Sequence, residues 1–175
     1  TLAQKIAFVP QGQETIFGSN VFETILLGRL PFMTWSPSDH DFQVVDKVVE
    51  KLNLSGLVQK NIEEISRGER QKVYIARAMA QDTPIIILDE PITYLDLKHQ
   101  FEIMSILKEL SFQGINVVMV VHDINLALRF CDEFVFIKNG LNVNTSLGDI
   151  TEQLINDVFE VKMKRIQVDN FFLFF

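Results

Sequence analysis

Two carboxylates stand side by side where an apolar run ends. Ile85–Leu88 is followed by Asp89, Glu90 and Pro91. If the run is a buried strand of an open α/β sheet, its carboxyl end is where ligands bind. Asp89 there is a hard oxygen ligand suited to Mg²⁺, directly or through water. Glu90, one residue on, can face a water molecule that attacks a phosphate. An apolar run closed by Asp-Glu-Pro also serves simply to end a strand, and the pair alone does not decide between the two.

Three further places carry chemistry-bearing residues. Ser66-Arg67-Gly68-Glu69 opens a helical pattern. The free N–H groups and positive end of a helix start favour a phosphate. Ser66 adds a hydroxyl, and Gly68 permits close backbone approach. The same Ser66 and Glu69 also spell a capping box, so two readings stand. His122 follows the apolar run Val117–Val121, and Gln11 follows Lys5–Pro10.

The elements that must position these residues follow from periodicity and punctuation. Lys5–Pro10 predicts a short strand stopped by proline, and Gln11–Asn20 a loop. Val21–Arg29 predicts a short helix. Ser38 or Asp39 caps a helix to about Leu52, with Phe42, Val45, Val48, Val49 and Leu52 as its stripe. Ser66 caps a helix to about Gln81. Ile85–Leu88 predicts a strand buried on both faces, and Val117–Val121 a second fully apolar strand. Between them Leu97–Phe112 reads as a helix with Ile103, Ile106, Leu107 and Leu110 inward and Gly114 as its stop. Asp123–Phe130 predicts a helix. Asn139-Gly140 predicts a hairpin between Glu133–Lys138 and Leu141–Thr145, and Thr151 caps a helix to about Phe159. Strand–helix–strand alternation implies an α/β fold with a mainly parallel sheet.

Composition sets the frame. With 175 residues, 47% of them hydrophobic and 22% charged, the chain fits one soluble domain with a core of its own. Sixteen basic against 23 acidic residues give a net charge of −7, which argues against nucleic acid as a partner. Cys131 is the only cysteine, so no intrachain disulfide or cysteine metal cluster forms, as suits a reducing cytoplasm. No signal peptide or membrane-length apolar run is present. The chain opens on Thr1 rather than Met, as a fragment would.

In order and spacing, these pieces resemble the ATP-binding-cassette (ABC) ATPases over roughly residues 1–160. Ile65–Gln71 resembles the signature motif, with Ile-Ser-Arg-Gly-Glu in place of Leu-Ser-Gly-Gly-Gln. Ile85–Glu90 resembles the Walker B strand, Thr93–Asp96 the D-loop, His122 the switch histidine and Gln11 the Q-loop glutamine. The resemblance implies a P-loop NTPase-like fold: a helical subdomain over about residues 20–80, with 1–19 and 81–160 in the catalytic α/β core. It implies Glu90 and His122 as catalytic residues and Asp89 with Gln11 on Mg²⁺. It further implies Gln11, Ser66, Arg67, Gly68, Glu69 and Asp96 at ATP. Arg67 replaces a glycine and Glu69 a neutral amide, which weakens the signature match.

Gly28-Arg29-Leu30-Pro31-Phe32 and Asp96-Leu97-Lys98-His99-Gln100 resemble ATPases of importers for iron–siderophore, haem or cobalamin complexes. The implied partners are a second ATP-binding subunit, an integral membrane permease and, indirectly, a substrate-binding protein. The implied location is the cytoplasmic face of the membrane. His99 reads as a helix-face residue rather than a metal ligand.

One element of the family pattern is missing. None of the eight glycines is followed by lysine, so no P-loop of the form Gly-x-x-x-x-Gly-Lys-Ser/Thr is present. The fold is therefore expected to be incomplete at its N-terminus, with weak ATP binding or none by the isolated chain. Open sheet edges would then favour aggregation. The tail Asn170–Phe175 reads as core packing, a buried edge strand or a frame-shift artefact. Two other functions remain: a non-catalytic remnant, and a DNA-repair-type ABC ATPase, which usually carries a coiled-coil insertion not seen here.

Overall fold

The computed structural model describes residues 1–12, 18–145, 150–168 and 171–175. It divides into two units, Thr1–Val120 and Val121–Phe175. Part of the Gln11–Asn20 loop and part of the Asn170–Phe175 tail lie outside the described residues.

Six helices open on a side-chain cap. These are α1 (Val21–Leu26), α2 (Asp39–Lys51), α3 (Arg67–Ala80), α4 (Leu97–Phe112), α5 (Ile124–Phe130) and α6 (Glu152–Phe159). Their caps are Asn20, Ser38, Ser66, Asp96, Asp123 and Thr151, each accepting a backbone N–H of the first turn. An oxygen at this place satisfies a donor that the helix leaves open, which stabilises it by about 1 kcal/mol. In α1, α2 and α3 the third helical residue bonds back to complete a capping box.

In the first unit α1, α2 and α3 share a core that includes Val21, Ile25, Val45, Val49, Leu52, Ile62 and Val73. Burying each such side chain contributes about 1.5–3 kcal/mol. Phe42 stays at the margin, stacked on Phe22 at 6.2 Å between ring centroids. A buried ion pair ties these helices together. Arg29 Nε meets Asp41 Oδ1 at 2.9 Å, and Arg29 Nη1 donates to the Ala80 carbonyl at 2.8 Å. Asp41 Oδ2 also accepts from the Ser38 backbone and hydroxyl. These hydrogen bonds from Ser38, joined by Arg29, hold the Asp41 carboxyl down at about 2.

The sheet of this unit is parallel, in the order β1 (Ile6–Val9), β2 (Ile85–Asp89), β3 (Asn116–Val120). Its register places Ala7, Ile86 and Val117 on one row and Phe8, Ile87 and Val118 on the next. α3 packs on β1 and α4 on β3. The expected burial of both sheet faces is not what forms. Ala7, Val9, Ile86 and Leu88 are buried, whereas Phe8 is 53% and Val118 55% exposed. β2 therefore alternates between partly exposed and buried residues along its length. α4 buries Ile103, Met104, Leu107 and Leu110. Ile106, expected in that set, instead packs from the side against the helical core.

In the second unit β4 (Phe134–Lys138) and β5 (Leu141–Thr145) form an antiparallel hairpin. Asn139 and Gly140 at its tip have φ of 51° and 73°, as a type I′ turn requires. β6 (Arg165–Val168) pairs with β7 (Phe171–Phe174). The Phe-rich tail is thus an edge strand that also packs. Phe174 joins Phe136, Ile150 and Ile155 in the core. Asn125 of α5 bonds both ways to the Phe174 backbone, at 2.8 and 3.0 Å. No helix among the described residues is long and apolar enough to cross a membrane.

Candidate active site

A cavity of about 460 Å³ in the first unit gathers residues from four segments. Gln11 and Gly12 follow β1. Asp89 and Glu90 close β2. Thr93, Tyr94 and Leu95 form the turn before α4, and Arg67, Arg70, Gln71 and Tyr74 come from α3. The last four fall at i, i+3, i+4 and i+7, one face of a helix. One wall therefore offers cations and hydrogen-bond donors, and the facing wall two carboxylates.

Glu90 is the most constrained of these residues. Its Oε2 accepts from Gln11 Nε2 at 2.5 Å and from Thr93 Oγ1 at 2.9 Å. Its backbone is left-handed, with φ of 48°, and Tyr94 follows at 63°. Non-glycine residues in that region cost about 1–3 kcal/mol and cluster at functional sites. The Gln11 amide nitrogen is committed to Glu90, which leaves its Oε1 as a hard oxygen donor in a cavity that Asp89 also lines. Two oxygen donors with room for water suit Mg²⁺. Among the described residues no group of three or more His, Cys, Asp or Glu could hold a metal ion.

Four of the residues singled out in the sequence thus line one cavity: Gln11, Arg67, Asp89 and Glu90. Ser66, Glu69 and Asp96 each serve a helix start. Glu69 N donates to Ser66 Oγ at 3.3 Å, and Ser66 N donates to Glu69 Oε2 at 2.8 Å. Hydrogen bonds from the Ser66 hydroxyl and then its backbone N–H hold the Glu69 carboxyl below its ordinary range. Asp96 Oδ1 accepts the His99 backbone N–H at 2.9 Å and lies 2.8 Å from His99 Nδ1. These bonds from His99 lower the Asp96 carboxyl in the same way. Gly68 is buried under the His99 ring. His122 stands in the second unit, two positions past the end of β3.

Sequence reasoning included Arg70 and Gln71 in the signature stretch without giving them a role, and it missed Tyr74. Their helical spacing from Arg67 was the signal that could have found them. The Tyr74 hydroxyl is buried without a partner among the described residues.

The first unit is an α/β arrangement, a three-stranded parallel sheet with an acidic pair at the end of its central strand, joined to a helical layer. The sequence model of the ABC transporter family matches residues 1–93, and the chain belongs to that family. It is 45% identical over 141 residues to an uncharacterised ABC transporter ATP-binding protein of Methanocaldococcus jannaschii, covering 80% of this chain and 55% of the relative. It is 36% identical over 165 residues to the iron(3+)-hydroxamate import ATP-binding protein of Bacillus subtilis, covering 91% of this chain and 61% of that one. Among solved structures, an inward-facing ABC transporter described as metal-chelate type superposes with a TM-score of 0.91 at 28% identity, over 98% of this chain and 72% of that chain. The chain spans less than two thirds of the length of these two relatives.

Proposed function

We propose that the chain is part of the ATP-hydrolysing subunit of an importer for metal chelates of the iron–siderophore, haem or cobalamin type. The observation that carries this is the Gln11–Glu90 hydrogen bond at 2.5 Å, in a cavity that Asp89 also lines. It joins the segment after β1 to the end of β2 around a carboxylate held in one orientation. Similarity to an iron(3+)-hydroxamate import ATP-binding protein supports the importer class.

In this reading Glu90 orients and polarises the attacking water. Gln11 holds the Glu90 carboxylate in place, and its own carbonyl oxygen would be available as a metal ligand. Asp89 and Gln11 would hold Mg²⁺, which neutralises phosphate charge when bound. His122 donates a hydrogen bond to the transferring phosphate. By the family resemblance, the N-terminus of α3, with Ser66, Arg67, Gly68 and Glu69, serves the nucleotide of a second ATP-binding subunit, although Arg67 also lines this chain's own cavity, and Asp96 helps organise that pairing. The pair of subunits sits on the cytoplasmic side of an integral permease, which receives its cargo from a substrate-binding protein.

The chain has no P-loop lysine, so its own hold on ATP is weak. Equilibrium dialysis of the 175-residue chain with ATP and Mg²⁺ tests this. The expected result is no retention at micromolar ATP. Micromolar binding would show that the phosphates are held by residues other than those of a P-loop.

A further inference from the structure

Gly68 lies in the first turn of α3 and is buried. Its backbone is ordinary helix, so conformational freedom does not explain a residue that weakens helices. Its surroundings do. A Cβ built there would fall 2.3 Å from His99 Cδ2 and 2.5 Å from Cγ. The imidazole occupies the space that any other residue would need.

The ring is held in that place. His99 is the third residue of α4, and its backbone N–H donates to Asp96 Oδ1. Its Nδ1 meets the same oxygen at 2.8 Å, and Asp96 caps the helix. The ring's orientation is thereby tied to the cap. A second contact joins the same two segments. The Arg67 guanidinium carbon lies 4.5 Å from the Tyr94 ring centroid, a cation–π distance. Tyr94 has a left-handed backbone, with φ of 63°. Neighbouring residues of the α3 start therefore each rest on a ring, Arg67 on Tyr94 from the segment before α4 and Gly68 on His99 from the first turn of α4.

We propose that His99 and Tyr94 are positioning residues for the Ser66–Gly68 turn, His99 acting through Gly68 and Tyr94 through Arg67. The start of α4 thus sets where the N–H groups and guanidinium of α3 point, and Asp96 transmits its own placement to the turn through the imidazole. This rests on the reading of that turn as a nucleotide-contacting element. The physical clamp itself requires no nucleotide.

The test uses NMR on the isotope-labelled 175-residue chain without nucleotide. His99 ring-nitrogen shifts are expected to show a proton on Nδ1. His99→Ala and Tyr94→Ala are each expected to accelerate hydrogen exchange of the Glu69 amide, which reports the cap on α3. Tyr94→Phe keeps a ring beneath Arg67 and is expected to leave that exchange unchanged. Gly68→Ala is expected to displace the imidazole and lower the melting temperature. Adding His99→Ala to it is expected to recover most of the loss. Unchanged Glu69 exchange in His99→Ala and Tyr94→Ala would overturn the proposal. So would strictly additive melting shifts for Gly68→Ala and His99→Ala. If ATP work rejects the nucleotide role of the turn while these results hold, the reading fails and the clamp stands.

Discussion

Gln11 donates its side-chain amide to Glu90 Oε2 at 2.5 Å, across 79 positions of sequence. That one bond links the segment after β1 to the end of β2 and occupies the Gln11 amide nitrogen.

The first prediction concerns the Mg²⁺ proposed at this site. Mn²⁺ serves as a paramagnetic probe for the Mg²⁺ site, since oxygen donors suit both. Titrating it into the chain is expected to broaden the amide signals of Gln11, Gly12, Asp89 and Glu90 first. Asp89→Asn removes a charged ligand and is expected to abolish this selective broadening. Broadening that persists in that variant would place the cation elsewhere.

Arg29 and Asp41 form an ion pair with side-chain exposures of only 4% and 5%. Removing one partner of such a pair leaves an uncompensated buried charge, typically about 3–5 kcal/mol destabilising. Arg29→Ala and Asp41→Ala are each expected to show a loss of that size in urea unfolding. Replacing both with apolar residues of similar volume is expected to recover much of it. Losses below about 1 kcal/mol for the single variants, the range of surface pairs, would mean that the pair is solvated.

Asp41 also sets an acid limit. Its folded carboxyl titrates at about 2 against an ordinary 3.8. The unfolded chain therefore binds more protons in that interval, so stability rises with pH there. The contribution of Asp41 is full above the unfolded value and is lost as pH falls from 3.8 toward about 2. Urea midpoints measured between these limits are expected to fall more steeply for the native chain than for Asp41→Asn. Parallel slopes would contradict the assignment.

The helix starts were legible because a cap is a local event. Ser38, Ser66, Asp96 and Thr151 each find their donor within three residues. The acidic pair and Gln11 stood out through the family resemblance, since an Asp-Glu after an apolar run, or a lone loop Gln, does not by itself announce a site. The alternating burial of β2 was not legible. Four consecutive apolar residues signal burial but do not say which layers are present to cover them. The pairing of Arg29 with Asp41 was not legible, since nothing local announces a partner 12 positions away. His99 read as a helix-face residue because its contact with Gly68 is purely tertiary. The cavity wall Arg67, Arg70, Gln71 and Tyr74 was present as helical spacing, but only the fold shows that this face meets Asp89 and Glu90.

The central claim is that Glu90 orients the water for ATP hydrolysis. The direct measurement is the ATPase rate of this chain fused behind a P-loop-bearing N-terminal segment of an ABC ATPase, with and without Glu90→Gln. The native fusion is expected to hydrolyse ATP. The Glu90→Gln fusion is expected to lose about 10²-fold or more of the rate, the scale of a positioned base, while retaining ATP in a dimer seen by size-exclusion chromatography. An undiminished rate in Glu90→Gln would contradict the account.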